Sequence, residues 1–191
     1  MWRRRLPRRY ILGKSALSIH PIASTLRAAH VLYAEQKYGQ AAEIFEQLAG
    51  LPEVIQKGRA PYLILQAGLA RILNGEDEIG NSLIQRGFTL FVEDQNWPRL
   101  EVAGKRVVEE LHRNYKIDQV EQLQSCLDLS LAGHRVSASP VSGFWSGMPR
   151  PILPIECPSC GGPIHLQEVE WVDPRTAVCT FCGGLIRSDD R

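Results

Sequence analysis

Several features that would assign the chain to a familiar functional class are missing from its sequence. No run of 18 apolar residues occurs among the 191 residues, so no membrane-spanning helix is predicted. The sequence has no H-E-x-x-H, G-x-S-x-G, G-x-G-x-x-G or Walker-type motif, and such motifs would place catalytic or phosphate-binding groups. Four of the histidines, His20, His30, His112 and His134, are scattered along the chain. No catalytic residue is therefore predicted, and we do not expect an enzyme.

Cysteine is scarce and unevenly placed. The five cysteines form two C-x-x-C pairs, with Cys126 left alone, and a disulfide framework would show neither that spacing nor an odd count. A reducing compartment is therefore expected, and with it a cytoplasmic location. Cys126 lies among apolar residues and is expected to be a small buried side chain rather than a reactive thiol.

Negative charge is absent from the beginning of the chain. The tail, residues 1–19, has no acid, and its first 14 residues carry six bases: Arg3, Arg4, Arg5, Arg8, Arg9 and Lys14. Residues 20–132 hold 11 bases and 15 acids, and residues 155–191 hold 3 and 6. The tail could be a targeting peptide, a solvated segment, or a contact with a partner, nucleic acid or anionic lipid.

Residues 20–132 show helical periodicity. Pro21, Pro61 and Pro98 each stand where an apolar helical pattern begins, which suits a residue that costs nothing in a first helical turn. A second apolar stripe starts near residues 41, 80 and 120. Three helical hairpins with a period near 40 residues are therefore predicted.

The first two hairpins resemble tetratricopeptide repeats. In "KYGQAAEIFEQLAGLP" Ala41 takes the small, close-packing position and Phe45 fills the space one turn later. In the second hairpin Gly68, Gly75 and Gly80 take the close-contact and turn positions. The resemblance implies a mostly α fold, a right-handed α-solenoid of about three hairpins; HEAT-like or generic helical pairs are the alternatives. These hairpins are expected to have a core of their own.

The segment that follows, residues 133–154, is rich in Gly, Ser and Pro and has no apolar period. It is predicted to be a linker. Phe144 and Trp145 either pin this linker to a domain or form a short docking motif.

The strongest motif is a doubled one: "CPSCGGPI" at residues 157–164 is nearly repeated as "CTFCGGLI" at 179–186. Each C-x-x-C turn followed by Gly-Gly can direct two sulfurs at one point. Four thiolates complete the tetrahedral shell of Zn²⁺. The interval between the pairs predicts a β-hairpin with a turn at residues 173–175. Residues 155–191 therefore resemble a zinc ribbon, with one structural Zn²⁺ on Cys157, Cys160, Cys179 and Cys182.

A redox dithiol and an iron site are the alternatives to zinc, since four thiolates also bind iron. His165 could be a spare ligand, but four cysteines already fill the shell, and a surface histidine is expected.

The predicted function is that of a non-enzymatic scaffold or adaptor for protein partners. In a tetratricopeptide-like register the first helices line a groove that would hold a peptide or helix, with the ribbon as a second contact surface. Tyr33 and Tyr62 are expected to be partly exposed anchors. Alternatively, groove residues pack on one another or on the basic tail, and a nucleic-acid or transcription accessory protein is the competing function. The groove residues are Leu26, His30, Tyr33, Tyr62, Leu65, Leu69, Lys105 and His112.

Overall fold

A computed structural model of the chain describes residues 21–134, 151–166 and 169–188. The basic tail and its six cationic residues lie outside the described residues, as do His20 and the linker residues 135–150 with Phe144 and Trp145.

The described residues contain seven helices and one small sheet. The predicted hairpins are present: Pro61 and Pro98 lie in the first turn of their helices, as expected. A short helix after the first hairpin is an addition that the apolar pattern did not indicate. No described helix combines the length and apolarity needed to cross a bilayer. The helices are α1 (Pro21–Ala34), α2 (Tyr38–Ala49), α3 (Pro52–Gln56), α4 (Ala60–Leu73), α5 (Asp77–Glu93), α6 (Trp97–Arg113) and α7 (Ile117–Ser130).

Five helix ends use the same tight turn. In each, one residue adopts a left-handed conformation, and the next residue's N–H donates to the carbonyl five residues earlier, as in a Schellman motif. These bonds measure 2.9–3.0 Å: Lys37 to Leu32, Arg59 to Val54, Glu76 to Arg71, Asn96 to Phe91 and Lys116 to Leu111. The left-handed residues are Gln36, Gly58, Gly75, Gln95 and Tyr115. A shared turn geometry is the structural counterpart of the repeat seen in the sequence.

Glycine allows α4 and α5 to pack closely, as the sequence predicted. A Cβ on Gly68 would lie 2.8 Å from the carbonyl oxygen of Gly80, and a Cβ on Gly80 would lie 2.6 Å from that of Gly68. No larger side chain fits at either position without moving backbone. In the first hairpin, Ala41 and Phe45 are both fully buried, as expected.

The C-terminal part contains a three-stranded antiparallel sheet in the order β1 (Glu170–Asp173), β2 (Thr176–Val178) and β3 (Leu185–Arg187). Trp171 pairs with Ala177, which pairs in turn with Ile186. The β1–β2 hairpin and its turn were predicted. The strand β3, which follows the second cysteine pair, was not.

The helices and the cysteine-containing part share their cores. One apolar cluster combines Leu26, Ala29 and Phe45 of the helices with Cys157, Cys160, Cys179, Cys182, Ala177 and Ile186. A second cluster joins helical residues such as Phe88 and Phe91 to Val178 of β2. The expectation of a separate helical core is wrong, because apolar side chains on the first helices are covered by residues from beyond position 150.

Candidate metal centre and its docking surface

The two C-x-x-C segments, called the first knuckle (residues 157–162) and the second knuckle (179–184), fold in the same way. Gly161 N–H donates to the carbonyl of Cys157 (2.7 Å), and Gly183 N–H donates to that of Cys179 (2.8 Å). A return bond of 2.8 Å closes each turn, from Cys157 N–H to Gly162 and from Cys179 N–H to Gly184. Gly161 and Gly183 both have positive φ, 72° and 64°, which explains why glycine follows each pair.

The knuckles bring all four sulfurs together. Cys157 Sγ lies 3.9 Å from Cys182 Sγ, and Cys160 Sγ lies 3.8 Å from Cys179 Sγ. All four ligand atoms lie within 4.8 Å of one another, and each cysteine is at most 1% exposed. A tetrahedron with metal–sulfur bonds of about 2.3 Å has edges of about 3.8 Å. The four cysteines therefore fit a single tetrahedrally bound metal ion.

The protonation of these thiols also favours a cation. Hydrogen bonds from the other sulfurs, that of Cys160 foremost, lower the pKa of Cys157. Hydrogen bonding with Cys157, together with burial, raises the pKa of Cys160. Sulfurs this close do not all ionise unaided, and a bound divalent cation would supply the charge that allows them to do so.

Three arginines of the helical part bind main-chain carbonyls of the knuckles. Arg27 of α1 donates to the carbonyl of Pro158. Arg59, which precedes α4, donates from Nε to the carbonyl of Cys182 over 2.6 Å. Arg106 of α6 donates from Nη1 to that of Thr180 over 3.3 Å. Each of the three hairpins thus contributes one cation to the same small region.

Phe181, between the ligands of the second knuckle, is inserted among helical side chains. The Arg106 guanidinium carbon lies 3.6 Å from the centre of its ring. The ring of His30 meets it edge-on at 5.7 Å and meets Phe45 of α2 at 5.2 Å. Arg106, only 8% exposed, also donates to the side-chain oxygen of Gln66. The second knuckle is therefore fixed by aromatic and cation–π contacts as well as hydrogen bonds.

Further contacts lie on either side of this aromatic group. Arg99 of α6 forms an ion pair of 3.0 Å with Glu170 of β1. A Cβ on Gly183 would lie 2.7 Å from the ring of Tyr62, so the knuckle backbone rests directly on that tyrosine. The ring of Tyr62 meets Phe91 of α5 edge-on at 5.0 Å.

The groove residues predicted from the sequence fall into three groups by their burial: buried, partly buried and exposed. Leu26, Tyr62, Leu65 and Leu69 are buried, and His30 and Tyr33 are partly buried. The expectation that Tyr62 is partly exposed is wrong, because the second knuckle covers its ring. Lys105 and His112 are exposed, and Lys105 pairs with Glu101 on its own helix.

The face of α6 that contacts the ribbon is offset by one residue from the face that the sequence predicted to line the groove. Arg99 and Arg106 contact the ribbon, and Val102 and Ala103 line a small cavity together with Glu170 and Thr180. These positions are spaced as one helical face. Lys105 and His112 share a different face, because one residue rotates the side chain by about 100°.

The arginines that dock the ribbon were missed by sequence reasoning. Hydrogen bonds to main-chain carbonyls leave no motif, so Arg27, Arg59 and Arg106 looked like ordinary helix-surface residues. One signal was present: the region with four cysteine ligands has only three bases against six acids. Cationic side chains near the four sulfurs would therefore come mostly from elsewhere in the chain.

Other residues singled out in the sequence have local roles. His134 stacks on Trp97 at 3.9 Å, His165 is exposed, and Cys126 is partly buried. Burial, followed by the positive charge of Arg106, lowers the pKa of His30 to about 4. Its Nε2 has no hydrogen-bond partner among the described residues. His30 is therefore neutral at pH 7 and acts as a packing residue beside Phe181.

Comparisons with known proteins identified no similar protein. No family model matches the chain, and neither a curated protein nor a solved structure shows significant similarity to it.

Proposed function

We propose that the protein is a non-enzymatic interaction scaffold in which one structural Zn²⁺ ion holds a zinc ribbon in the groove of a tetratricopeptide-like solenoid. The observation that carries this proposal is the four-sulfur cluster, with every cysteine buried against the helices. A closed shell of four thiolates leaves no coordination position for water or substrate. Zinc is favoured over iron because it takes this geometry without redox chemistry.

The shared turn geometry and the contact of Gly68 with Gly80 support the solenoid part of the proposal. Small residues at helix contacts and nearest-neighbour packing are features of repeat arrays. The groove, however, already contains the ribbon. A partner in the cytoplasm would therefore contact outward surfaces, and the ribbon offers four exposed apolar side chains there: Ile155, Leu166, Val172 and Leu185.

Metal analysis of freshly purified, reduced protein tests the structural claim. One zinc per chain is expected; no metal, or iron in its place, would contradict it. Binding of zinc should also leave no exchangeable water on the ion, since the four sulfurs fill its shell. A water ligand seen by spectroscopy of the cobalt-substituted protein would argue for a catalytic site instead.

Affinity capture from the source cell's extract tests the interaction claim. Val172→Ser combined with Leu185→Ser should abolish recovery of a specific protein, because exposed apolar anchors dominate many interfaces. Leu129→Ser, at a residue of α7 that is 77% exposed, is the matched control and should leave recovery unchanged. Equal recovery with all variants would contradict this partner surface.

A nucleic-acid role receives less support from the described residues. Arg27, Arg59 and Arg106 point into the chain's own ribbon, and Arg99 pairs with Glu170. Cations engaged in this way do not form a phosphate-binding surface. Salt-dependent binding of a random duplex by the full chain would restore that alternative.

A further inference from the structure

A metal ion bound by four thiolates has a net negative charge, and the ribbon alone does not compensate that charge. Four thiolates around a divalent ion leave a net charge of about −2. The sulfurs are at most 1% exposed, and a buried charge is costly unless opposite charge or hydrogen bonds compensate it. The ribbon sequence adds further negative charge, with six acids against three bases.

The helical part places three cations against the knuckles. Arg27 and Arg106 donate to the carbonyls of Pro158 and Thr180, which are equivalent residues: each follows the first cysteine of its knuckle. Arg59 donates to the carbonyl of Cys182, itself a predicted ligand. Two helices, and the residue before a third, therefore present a cation to the sequence that carries the sulfurs.

The close approach of the helices to the knuckles is also encoded in the sequence. Gly161 and Gly183, again equivalent residues, lie against Arg27 and Tyr62: an added Cβ would be 3.3 Å from Arg27 Cγ and 2.7 Å from the Tyr62 ring. At Gly183 a larger residue would collide with the Tyr62 ring, whereas at Gly161 it would only displace the Arg27 side chain. Glycine at both positions serves the turn, and at Gly183 it also serves the docking.

We propose that Arg27, Arg59 and Arg106 form the outer cationic shell of the metal centre, so that the helical part is a component of the metal site. This inference rests on the proposed structural zinc. Outer-shell partners of metal ligands affect metal affinity by about 10- to 100-fold in other sites. In this chain they act through knuckle carbonyls and through charge, and the largest share belongs to Arg106, the most buried of the three.

Zinc affinity of the full chain tests the proposal, measured by competition with a chromophoric chelator under reducing conditions. Arg106→Gln should weaken zinc binding by roughly tenfold, and Arg27→Gln and Arg59→Gln by roughly threefold each. Arg86→Gln, at an exposed position of α5, is the matched control and should bind as tightly as the wild type.

Arg106→Lys separates charge from shape. If the cation matters, lysine should recover most of the affinity that glutamine loses; if Arg106 only fills space, lysine and glutamine should behave alike, which would overturn its part in the shell. Helical circular dichroism of each variant is recorded first. Should Arg106→Gln fail to fold, the zinc affinity of Arg27→Gln, a substitution at an exposed residue, tests the proposal in its place.

Equal zinc affinity in Arg27→Gln, Arg59→Gln and the Arg86→Gln control would overturn the outer shell while leaving the zinc site intact. A wild-type chain that binds no zinc would overturn the proposed function and this inference together. The two failures are thus told apart by the wild-type titration.

Discussion

The two knuckles have nearly the same sequence and the same two main-chain hydrogen bonds, yet their surroundings differ. Beyond its buried cysteines, the first knuckle meets the helices through Arg27, an exposed side chain. The second is enclosed: Phe181 lies between His30 and Arg106, and Gly183 rests on Tyr62. The cysteines and glycines that bring the four sulfurs together are identical in the two knuckles, and the residues between the cysteines differ. Repetition therefore fits a single tetrahedral site, and divergence fits the different helical surface that each knuckle meets.

The largest expected effect tests the four-cysteine metal site to which both knuckles contribute. Cys157→Ser and Cys182→Ser each remove one ligand from the same cage, so both should unfold the ribbon to a similar extent. Metal binding of about 10 to 16 kcal/mol appears as folding energy in small zinc domains. Loss of zinc and of amide protection in residues 155–188 is the readout. Survival of a zinc-bound ribbon in one variant alone would mean that the knuckles bind separate ions.

The next prediction tests the residues between the cysteines, which differ between the two knuckles. Phe181 and Ser159 occupy equivalent positions. The phenyl ring packs against Arg106 and His30, whereas Ser159 lines a cavity beside α1 and α3. Phe181→Ala should lower the free energy of unfolding by about 2 to 3 kcal/mol, because a packed aromatic is lost. Ser159→Ala should change it by less than about 0.5 kcal/mol. Denaturant melts of both variants check this; comparable losses would show that the first knuckle is docked equally firmly.

Gly183→Ala and Gly161→Ala sharpen the same contrast. Both substitutions place a Cβ at positive φ, which costs about 1 kcal/mol. At Gly183 the Cβ also collides with the Tyr62 ring, adding about 1 to 3 kcal/mol. At Gly161 the neighbouring Arg27 side chain can move away. The difference between the two midpoints in a denaturant melt isolates the collision, and equal midpoints would refute close docking at Tyr62.

The smallest expected effect is a pH dependence at the docked knuckle. His30 takes up a proton near pH 6.5 when unfolded but only near pH 4 when folded. Between these values the unfolded state binds more protons, so stability is complete above pH 6.5 and is lost as pH falls. From pH 7 to 5.5 this loss is about 1 kcal/mol.

A matched variant isolates this effect from proton uptake by the cysteines. His30→Leu keeps the metal site, so its decline in stability between pH 7 and 5.5 should be about 1 kcal/mol smaller than that of the wild type. Parallel declines in the two proteins would show that His30 titrates normally.

Local patterns in the sequence predicted much of this architecture. Apolar spacing after Pro21, Pro61 and Pro98 indicated the helical hairpins, and the doubled cysteine motif indicated the sulfur cluster. Both signals are local, since a helix face or a knuckle is defined within a few residues. The turn at Tyr115 was less apparent, because a left-handed residue is normally glycine or asparagine.

The position of the ribbon could not be predicted in this way. Its three arginine–carbonyl bonds join residues that are 74 to 131 positions apart in the chain, and main-chain carbonyls are common to every residue. The register of α6 failed for a related reason: Lys105 and Arg106 are both long cations, and only the location of Thr180 and Phe181 selects Arg106 as the inward one.

Hydrogen exchange of the full, reduced chain, measured with zinc bound and after chelation, tests most directly whether the ion joins ribbon and helices into one body. The shared core predicts that chelation speeds exchange in the ribbon and also in α1, α4 and α6, with a smaller change in α7. Faster exchange confined to residues 155–188, with unchanged protection in α1, α4 and α6, would contradict the account.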